Sequence, residues 1–511
     1  MILQKKLLNE FFYHLFIIFF FTFLCIEISS YFDLNRHWTS NIDHEFTLAY
    51  NSLLFNEGLK QEYIDHSGYF TILFLSIYIK IINLLNFIEF SNLTGYLNSK
   101  NFEISSQKLV FYTRIYSAIC VGFMCYILNI LFNQISKNKL FSFFITILFL
   151  FSYGTLIHLS QLRTELFASF FIISSIISLN KFIDNNKEYY LYLFFIFLYC
   201  AILNKAQVFF YVPFILSLFY FKFTEINKIE FKFFVLIKKK KILLPFFILA
   251  ILYIILKSVS FRINPFSLFF LIFVILCINM FFYKITSKLN SGIIENLIKL
   301  NLILVISFTI FKFLLKIHPS NNEMAFKFTF FDIINNIKYS SLTSIEFSFL
   351  GIINEFLSKF LIVLNYIFSS INFNSALIIS IFLIFFISTL GNRKLSKKNT
   401  IFVLYSIIIY FLILYINSFR GLHSYYEIFS QFFLIIPLCL IYFLANNLIK
   451  KILFCLILAV PIFIGLNDLK IIKKSLVYDR TDWICSKEQS YFQDWHKKLP
   501  KEKLIKEVCL N

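Results

Sequence analysis

The sequence predicts an all-α fold, a polytopic bundle of membrane-spanning helices. Hydrophobic residues make up 59% of the 511-residue chain, far above their share in an ordinary soluble domain. The mean hydropathy is +0.76. Apolar runs recur along the chain that are long enough to cross a bilayer, and short polar tracts separate them. We therefore expect about 12–14 spans, in an integral membrane protein.

Charge predicts the orientation of these spans. Lysine and arginine total 48 against 28 acidic residues, which gives a formal net charge of +20. The basic residues collect in short linkers, above all in the tract Lys222–Lys241, in GNRKLSKKN (391–399) and in NNLIKK (446–451). Such tracts are typical of cytoplasmic loops and of contacts with anionic membrane lipids. We therefore expect no nucleic-acid partner.

The first span is predicted over about 11–30, because this run is long for a cleaved signal peptide and lacks a small-residue cleavage site. It leads into a first outer loop, 31–68. Apolar residues at helical spacing over 44–57, followed by Gly58, predict an amphipathic juxtamembrane helix lying on the interface. Clear spans follow at about 109–132, 139–160, 166–182, 190–204, 206–221, 242–257, 266–283, 299–317, 374–390, 400–417, 427–445 and 452–467.

Two segments and the tail leave alternatives open. Polar or charged residues interrupt 69–90 and 348–372, so each segment is either a span or an interfacial helix. Residues 1–467 are interpreted as one transmembrane domain and 468–511 as a short polar tail. An odd number of crossings would put this tail on the side of the first loop. Cys485 and Cys509 would then lie in an oxidising compartment, where a disulfide is stable.

Ionisable residues at the ends of spans are candidate functional groups, because burying them in a bilayer is costly. They mix carboxylates with cations at one membrane level, which suits an enzyme that activates a hydroxyl and holds a phosphate. The candidates are Asp43, Glu45, Asp65, His66, Arg163, Glu165, Lys205, Arg420, His423, Tyr425 and Tyr426.

Each candidate also has a structural interpretation. Asp43 is a favoured helix cap, and Glu45 in a first turn interacts well with the helix dipole. Arg163 and Glu165 are close enough in sequence to pair with each other. The long side chain of Lys205 would reach the interface from a buried backbone position.

The order of these parts resembles the GT-C class of membrane glycosyltransferases, which includes protein mannosyltransferases and the aminoarabinose transferase of lipid A. One span leads to an outer loop that begins with Asp43-His44-Glu45, and the turn Asp65-His66-Ser67-Gly68 then enters an apolar helix followed by many spans. Members of the class commonly have proline where this chain has Ser67. The later Arg163-Thr164-Glu165, Lys205 and Arg420–Tyr426 elements are similar to other positions of the class.

The resemblance implies inverting transfer of a sugar from a polyprenyl-phosphate donor to a lipid, glycan or protein acceptor. The reaction would take place on the extracytoplasmic face of a bacterial inner membrane. Asp43 would be the general base, and Glu45 would position the acceptor or a divalent cation, since members of the class differ in metal use. The substrate-binding residues would be Lys205 and Arg420 at the lipid phosphate, with His423, Tyr425, Asp65, His66, Arg163 and Glu165.

Two other functions are considered. A secondary transporter or lipid flippase would show an internal repeat and ionisable residues in the middle of spans, and the sequence has neither pattern. A polysaccharide polymerase or ligase of envelope assembly normally has its main outer loop late in the chain. The predicted outer loop at 318–347 keeps that alternative open.

Overall fold

A computed structural model describes the parts of the chain to which all structural statements below refer. These are residues 2–41, 45–62, 68–185, 187, 189–205, 207–209, 211–212, 215, 349–369, 372–389, 397–418, 424–445, 448–475 and 496–499. Within these ranges the regular elements are helices and no strand occurs, so the predicted all-α fold is confirmed. The predicted spans between 242 and 317, the loop 318–347, Cys485 and Cys509 lie outside the described residues, as does most of 206–221.

The described helices follow the predicted order. The amino-terminal half contains α1 (Ile2–Tyr31), the 3₁₀ helix η1 (Trp38–Asn41), α2 (Thr47–Asn56), α3 (Tyr69–Leu84), α4 (Leu93–Leu97), α5 (Phe102–Ser136), α6 (Lys139–Leu150), α7 (Tyr153–Ser160), α8 (Thr164–Asn185) and α9 (Tyr189–Asn204). The carboxyl-terminal half contains α10 (Phe349–Phe368), α11 (Phe373–Thr389), α12 (Lys397–Ser418), η2 (Ser424–Phe429), α13 (Gln431–Leu444) and α14 (Leu448–Ser475).

Length and composition make this a membrane protein. Among the described residues, four helices are long and apolar enough to cross a bilayer, or up to six spans if each of two bent helix pairs counts as one. The four are Leu8–Tyr31 in α1, Phe102–Ser136 in α5, Thr164–Phe182 in α8 and Leu448–Lys474 in α14. Shorter apolar helices lie among them, including α3, α9 and α13.

Helix α5 is the central helix of the described bundle, because it packs against α1, α6, α7, α8 and α13. Its 35 residues extend over about 52 Å at 1.5 Å per residue, well beyond the ~30 Å hydrocarbon core. The amino-terminal end of α5 projects into the first loop, where the ring of Phe102 lies 6.1 Å from that of Trp38. Gly122 allows close packing on α1, since a Cβ there would lie 2.6 Å from the Cα of Thr22.

The first loop folds into a packed layer at one end of the bundle. Helix α2 lies within the predicted 44–57 segment and stops before Gly58, which has a positive φ of 76°. All residues from Thr47 to Phe55 are buried, so α2 is not the half-exposed interfacial helix that the apolar spacing predicted. The reason is that α3, α4 and α5 pack around it.

The contacts at the two ends of helix α3 distinguish between a span and an interfacial helix for 69–90. It begins next to the first loop, and the chain after it returns to the same loop, where the Thr94 N–H donates to Glu57 at 3.0 Å. The ring of Phe87, just past the end of α3, lies 5.7 Å from that of Tyr112 in the projecting part of α5. These contacts place both ends of α3 at the level of the first loop, which favours a juxtamembrane helix over a crossing.

Helix α10 differs from an ordinary span in its direction. Its axis is bent by 84° from that of α11, close to a right angle, whereas two successive antiparallel spans would differ by nearly 180°. Leu357 and Leu361 are 55% and 63% exposed, while Val363 and Ile367 are buried. A helix with one lipid-accessible apolar face and one packed face fits an interfacial position for 348–372.

The tail contacts the first loop. The ring of His496 lies 4.8 Å from that of Tyr50, and the backbone N–H of Lys497 donates to Glu62 at 2.6 Å. Residues 496–499 and the first loop therefore occupy the same end of the bundle. Because α1 is long and apolar enough to cross a bilayer between the amino terminus and the first loop, this contact favours the alternative with an odd number of crossings.

Candidate active site

Three helix ends position the charged side chains at the first-loop end of the bundle. Helix α7 ends at Ser160, α8 begins at Thr164 and α9 ends at Asn204. Glu165 lies in the first turn of α8 and Lys205 directly follows α9, so each charge is favourable for the dipole of its helix. Since α8 and α9 pack against each other, the two oppositely charged residues meet.

The resulting Glu165 cluster consists of Arg163, Glu165 and Lys205. Lys205 Nζ lies 2.7 Å from Glu165 Oε1, and Arg163 Nε lies 3.4 Å from Glu165 Oε2. Exposed fractions are 4% for Arg163, 1% for Glu165 and 0% for Lys205. Charges that are this deeply buried are tolerated only when they are paired. Lys205 thus pairs inside the protein, rather than extending to the interface.

Aromatic rings from η2 cover both cations of this cluster. Arg163 Cζ lies 3.4 Å from the centre of the Tyr425 ring, and Lys205 Nζ lies 5.6 Å from that of Tyr426. Such cation–π contacts strengthen when they are desolvated. Burial raises the pKa of the Tyr425 phenol well above its ordinary value, so the phenol is neutral and can donate a hydrogen bond at neutral pH.

Gly68, the last residue of the Asp65-His66-Ser67-Gly68 motif, lies next to the same cluster. The Gly68 N–H donates to the Asn204 carbonyl at 3.1 Å, and Asn204 Nδ2 donates to the Thr164 carbonyl at 2.6 Å. Gly68 has a positive φ of 49°, and a Cβ at this position would lie 2.8 Å from Thr164 Cγ2. Glycine is therefore favoured by the backbone conformation, and the close packing against Thr164 disfavours any larger residue.

A second group, the Glu45 cluster, fixes the first loop. Glu45 is completely buried, with Arg36 Nη2 at 2.6 Å from Oε1 and Arg114 Nη2 at 2.9 Å from Oε2. Arg114 Nη1 also donates to the Leu34 carbonyl at 2.9 Å. Arg36 donates in addition to the Ser160 carbonyl at the end of α7, which connects the Glu45 cluster to the chain leading to Arg163.

These contacts favour a positioning role for Glu45. Two guanidinium groups occupy the two carboxylate oxygens and leave an excess positive charge, which disfavours a divalent cation on the same oxygens. Within the described ranges, no three or more His, Cys, Asp or Glu residues are grouped so that they could hold a metal ion. Glu45, two residues after Asp43, instead holds the beginning of the first loop through Arg36 and Arg114.

Sequence reasoning did not select Arg36, Arg114 or Glu427. Arg114 could have been identified from the sequence, because an arginine within the predicted 109–132 span is a functional candidate by default. Glu427 is 1% exposed and accepts hydrogen bonds from Asn374 Nδ2 at 2.8 Å and Gln431 Nε2 at 2.6 Å. Burial raises the pKa of Glu427 to about 7, against the lowering effect of its hydrogen bonds. The structure begins α13 only at Gln431, so Glu427 precedes the span predicted at 427–445.

The structure brings together the described candidates from distant parts of the sequence. Arg163, Glu165 and Lys205 form the Glu165 cluster, which the rings of Tyr425 and Tyr426 cover, and Glu45 lies in the adjacent cluster. The other candidates, Asp43, Asp65, His66, Arg420 and His423, lie outside the described residues. No protein-family model matches the chain, and no curated protein sequence matches it significantly.

Proposed function

We propose that the protein is a membrane glycosyltransferase that moves a sugar from a polyprenyl-phosphate donor to an acceptor hydroxyl. The observation that supports this proposal is that four segments, distant in sequence, meet in one place. Gly68 bonds to Asn204, the neighbour of Lys205, while Lys205 pairs with Glu165 and Arg163 stacks on Tyr425. The sequence predicts all four segments as parts of a single site, and their described residues meet at one end of the bundle.

The chemistry needs a base, a cationic site for the leaving group and access from the lipid. In the proposed reaction Asp43 accepts the proton of the acceptor hydroxyl, whose oxygen forms a new bond to the anomeric carbon. The bond between that carbon and the phosphate oxygen breaks, and the electron pair leaves with the polyprenyl phosphate. Lys205 and Arg420 bind this phosphate, because charge-assisted hydrogen bonds to an oxyanion are strong.

The position of the Glu165 cluster suits a lipid-linked substrate. It lies at the start of α8, a helix of membrane-spanning composition, so we expect it near the level of the lipid phosphates. The rings of Tyr425 and Tyr426 help to bury the two cations, and in a buried environment their interaction with a phosphate is stronger than in water. A site for a soluble phosphorylated substrate would not need this location.

Basic linkers give the proposed side of the membrane. Lys137 and Lys139 lie at the start of α6, and the continuation of α6 into α7 leads to the cluster at the other end. Lys450 and Lys451 lie at the start of α14, and the chain beyond α14 reaches the first loop. The rule that cytoplasmic loops are basic therefore favours an extracytoplasmic active site, which we propose for a bacterial inner membrane.

Mass spectrometry of envelope glycans tests this function in cells. In a strain that lacks the protein, we expect one sugar to be missing from a lipid, glycan or protein, and this sugar would identify donor and linkage. The wild-type chain and the variant Lys139→Gln should restore it, since Lys139 is an exposed partner of Glu10 at the opposite end. The variant Asp43→Asn should be inserted normally but should not restore the sugar. Unchanged glycans in the deletion strain would refute the proposal.

A further inference from the structure

The two rings that cover the Glu165 cluster belong to a short element with a firm attachment on its other side. Tyr425 and Tyr426 of η2 contact Arg163 and Lys205, and the next residue, Glu427, extends into a buried network with α10, α11 and α13. Asn374 Nδ2, Gln431 Nε2 and the Tyr366 hydroxyl all donate to its carboxylate. Gln431 Nε2 also donates to Asn374 Oδ1 at 3.1 Å, which closes the network.

Helix α7 holds η2 from the opposite direction. Gly154 approaches it so closely that a Cβ would lie 2.7 Å from the Ile428 backbone nitrogen. His158 Nε2 lies 3.2 Å from the Tyr425 carbonyl, within hydrogen-bond distance. Helix α7 and the Glu427 network therefore enclose η2 from two sides.

The Glu427 network also reaches the lipid-facing part of the protein. Tyr366 belongs to α10, whose outer face exposes Leu357, Phe360 and Leu361 and runs nearly perpendicular to α11. A polyprenyl-linked substrate has to approach from the bilayer, against surfaces of this kind. The network therefore connects a helix at the lipid surface to the rings that contact the cations.

We propose that Glu427 is a positioning residue, which holds Tyr425 and Tyr426 against Arg163 and Lys205 and thereby sets the affinity of the site for a polyprenyl phosphate. This inference rests on the proposed function for its ligand, but its structural part does not. It assigns Glu427 no contact with substrate. Its effect on binding is transmitted through η2.

The test combines hydrogen exchange with ligand binding, on the full chain in lipid nanodiscs. Glu427→Ala removes the acceptor for three donors, so the backbone amides of 424–429 should exchange faster. Affinity for farnesyl phosphate should fall about tenfold, the order expected when a well-placed contact to a charged group is lost. Glu427→Gln keeps an acceptor oxygen at the same reach and should retain both properties. Tyr366→Phe deletes one hydroxyl and should show a smaller effect even if the alanine variant fails to fold.

The control is Glu103→Ala, which removes a half-exposed carboxylate that pairs with His37 at the same end of the bundle. It should change neither exchange at η2 nor affinity. Unchanged exchange in Glu427→Ala and Tyr366→Phe would overturn the positioning role. Faster exchange with unchanged affinity would overturn the link to the ligand. If the wild-type chain does not bind farnesyl phosphate while exchange at η2 responds as expected, the proposed function fails and the positioning role stands.

Discussion

At the scale of single residues, the first loop depends on a carboxylate between two arginines. The side chains of Glu45 and Arg114 are completely buried, and that of Arg36 is only 8% exposed. Removing one member of such a group leaves the others as unpaired buried charges. The free-energy cost of an unpaired buried charge is larger than the net stability that the ion pairs contribute when they form.

Glu45→Gln should therefore destabilise the protein by about 3–5 kcal/mol, because two guanidinium groups lose their counter-charge. Thermal unfolding in detergent measures the change. The matched control is Glu10→Gln, whose partner Lys139 lies at 2.8 Å with both side chains more than 40% exposed. The control should lose only about 0–1 kcal/mol. Equal losses in the two variants would show that the Glu45 cluster is not a structural lock.

Glu427 makes stability depend on pH. Its folded pKa of about 7 exceeds the ordinary value of 4.5, so the folded protein retains a proton that the unfolded chain releases. The stability that this proton contributes is complete below the unfolded pKa and is lost as pH rises through about 7. We expect the melting temperature to be higher at pH 5 than at pH 8, with a smaller difference in Glu427→Gln. An identical difference in both proteins would contradict the raised pKa.

At the scale of elements, the sequence predicts where helices occur better than it predicts where they bend. The spans expected at 166–182 and 190–204 correspond to α8, Thr164–Asn185, and α9, Tyr189–Asn204, because long apolar runs determine where helices form. The single span expected at 139–160 is instead α6 and α7, with a bend of 68° between them. That bend lets Gly154 pack on η2, an element far away in sequence, and no local pattern encodes such a partner.

The candidate site shows the same division. Ionisable residues at span ends identified Arg163, Glu165 and Lys205, since charge is rare and costly in an apolar chain. Their mutual distances could not be predicted, because they depend on how α8 and α9 pack. The partners of Glu45 were not predicted either, although Arg114 is a charged residue in a predicted span.

Gly68 tests the junction between the first loop and α8. Gly68→Ala should cost about 1–2 kcal/mol for the left-handed backbone. The contact with Thr164 Cγ2 should add about 1–3 kcal/mol of overpacking. Gly58→Ala is the matched control, because Gly58 also has a positive φ but has nothing within 4 Å of the added Cβ. Thermal unfolding should therefore show the larger loss for Gly68→Ala. The reverse order would place the turn away from Thr164.

At the scale of the whole molecule, the contact between residues 496–499 and the first loop indicates which segments share one side of the membrane. His496 packs on Tyr50, so residues 496–499 lie at the first-loop end of the bundle. Because α1 is long and apolar enough to cross a bilayer, we expect the amino terminus on the other side of the membrane. The charge pattern alone allowed either arrangement. The contact favours the arrangement with the first loop and residues 496–499 on one side, because two rings in contact cannot lie on opposite sides of a bilayer.

Labelling of single cysteines from one side of sealed vesicles measures this arrangement. Lys60→Cys in the first loop, Lys497→Cys in the tail and Lys137→Cys between α5 and α6 are all exposed positions. A membrane-impermeant maleimide should label the first two from the same side and the third only from the other side, after subtraction of labelling in the parent chain. Labelling of Lys497→Cys together with Lys137→Cys would contradict the packing of the tail.

The most direct test of the central claim is sugar transfer by the purified protein in vesicles that contain polyprenyl-phosphate sugars and extracted envelope acceptors. Mass spectrometry would follow the release of free polyprenyl phosphate and the gain of one sugar on an acceptor. We expect both with the wild-type chain, at least a hundredfold less with Lys205→Gln, of the order seen when one electrostatic contact to a reacting group is lost, and wild-type rates with Lys139→Gln. Donor lipid that stays intact with the wild-type chain, or that crosses the bilayer with its sugar still attached, would contradict the account.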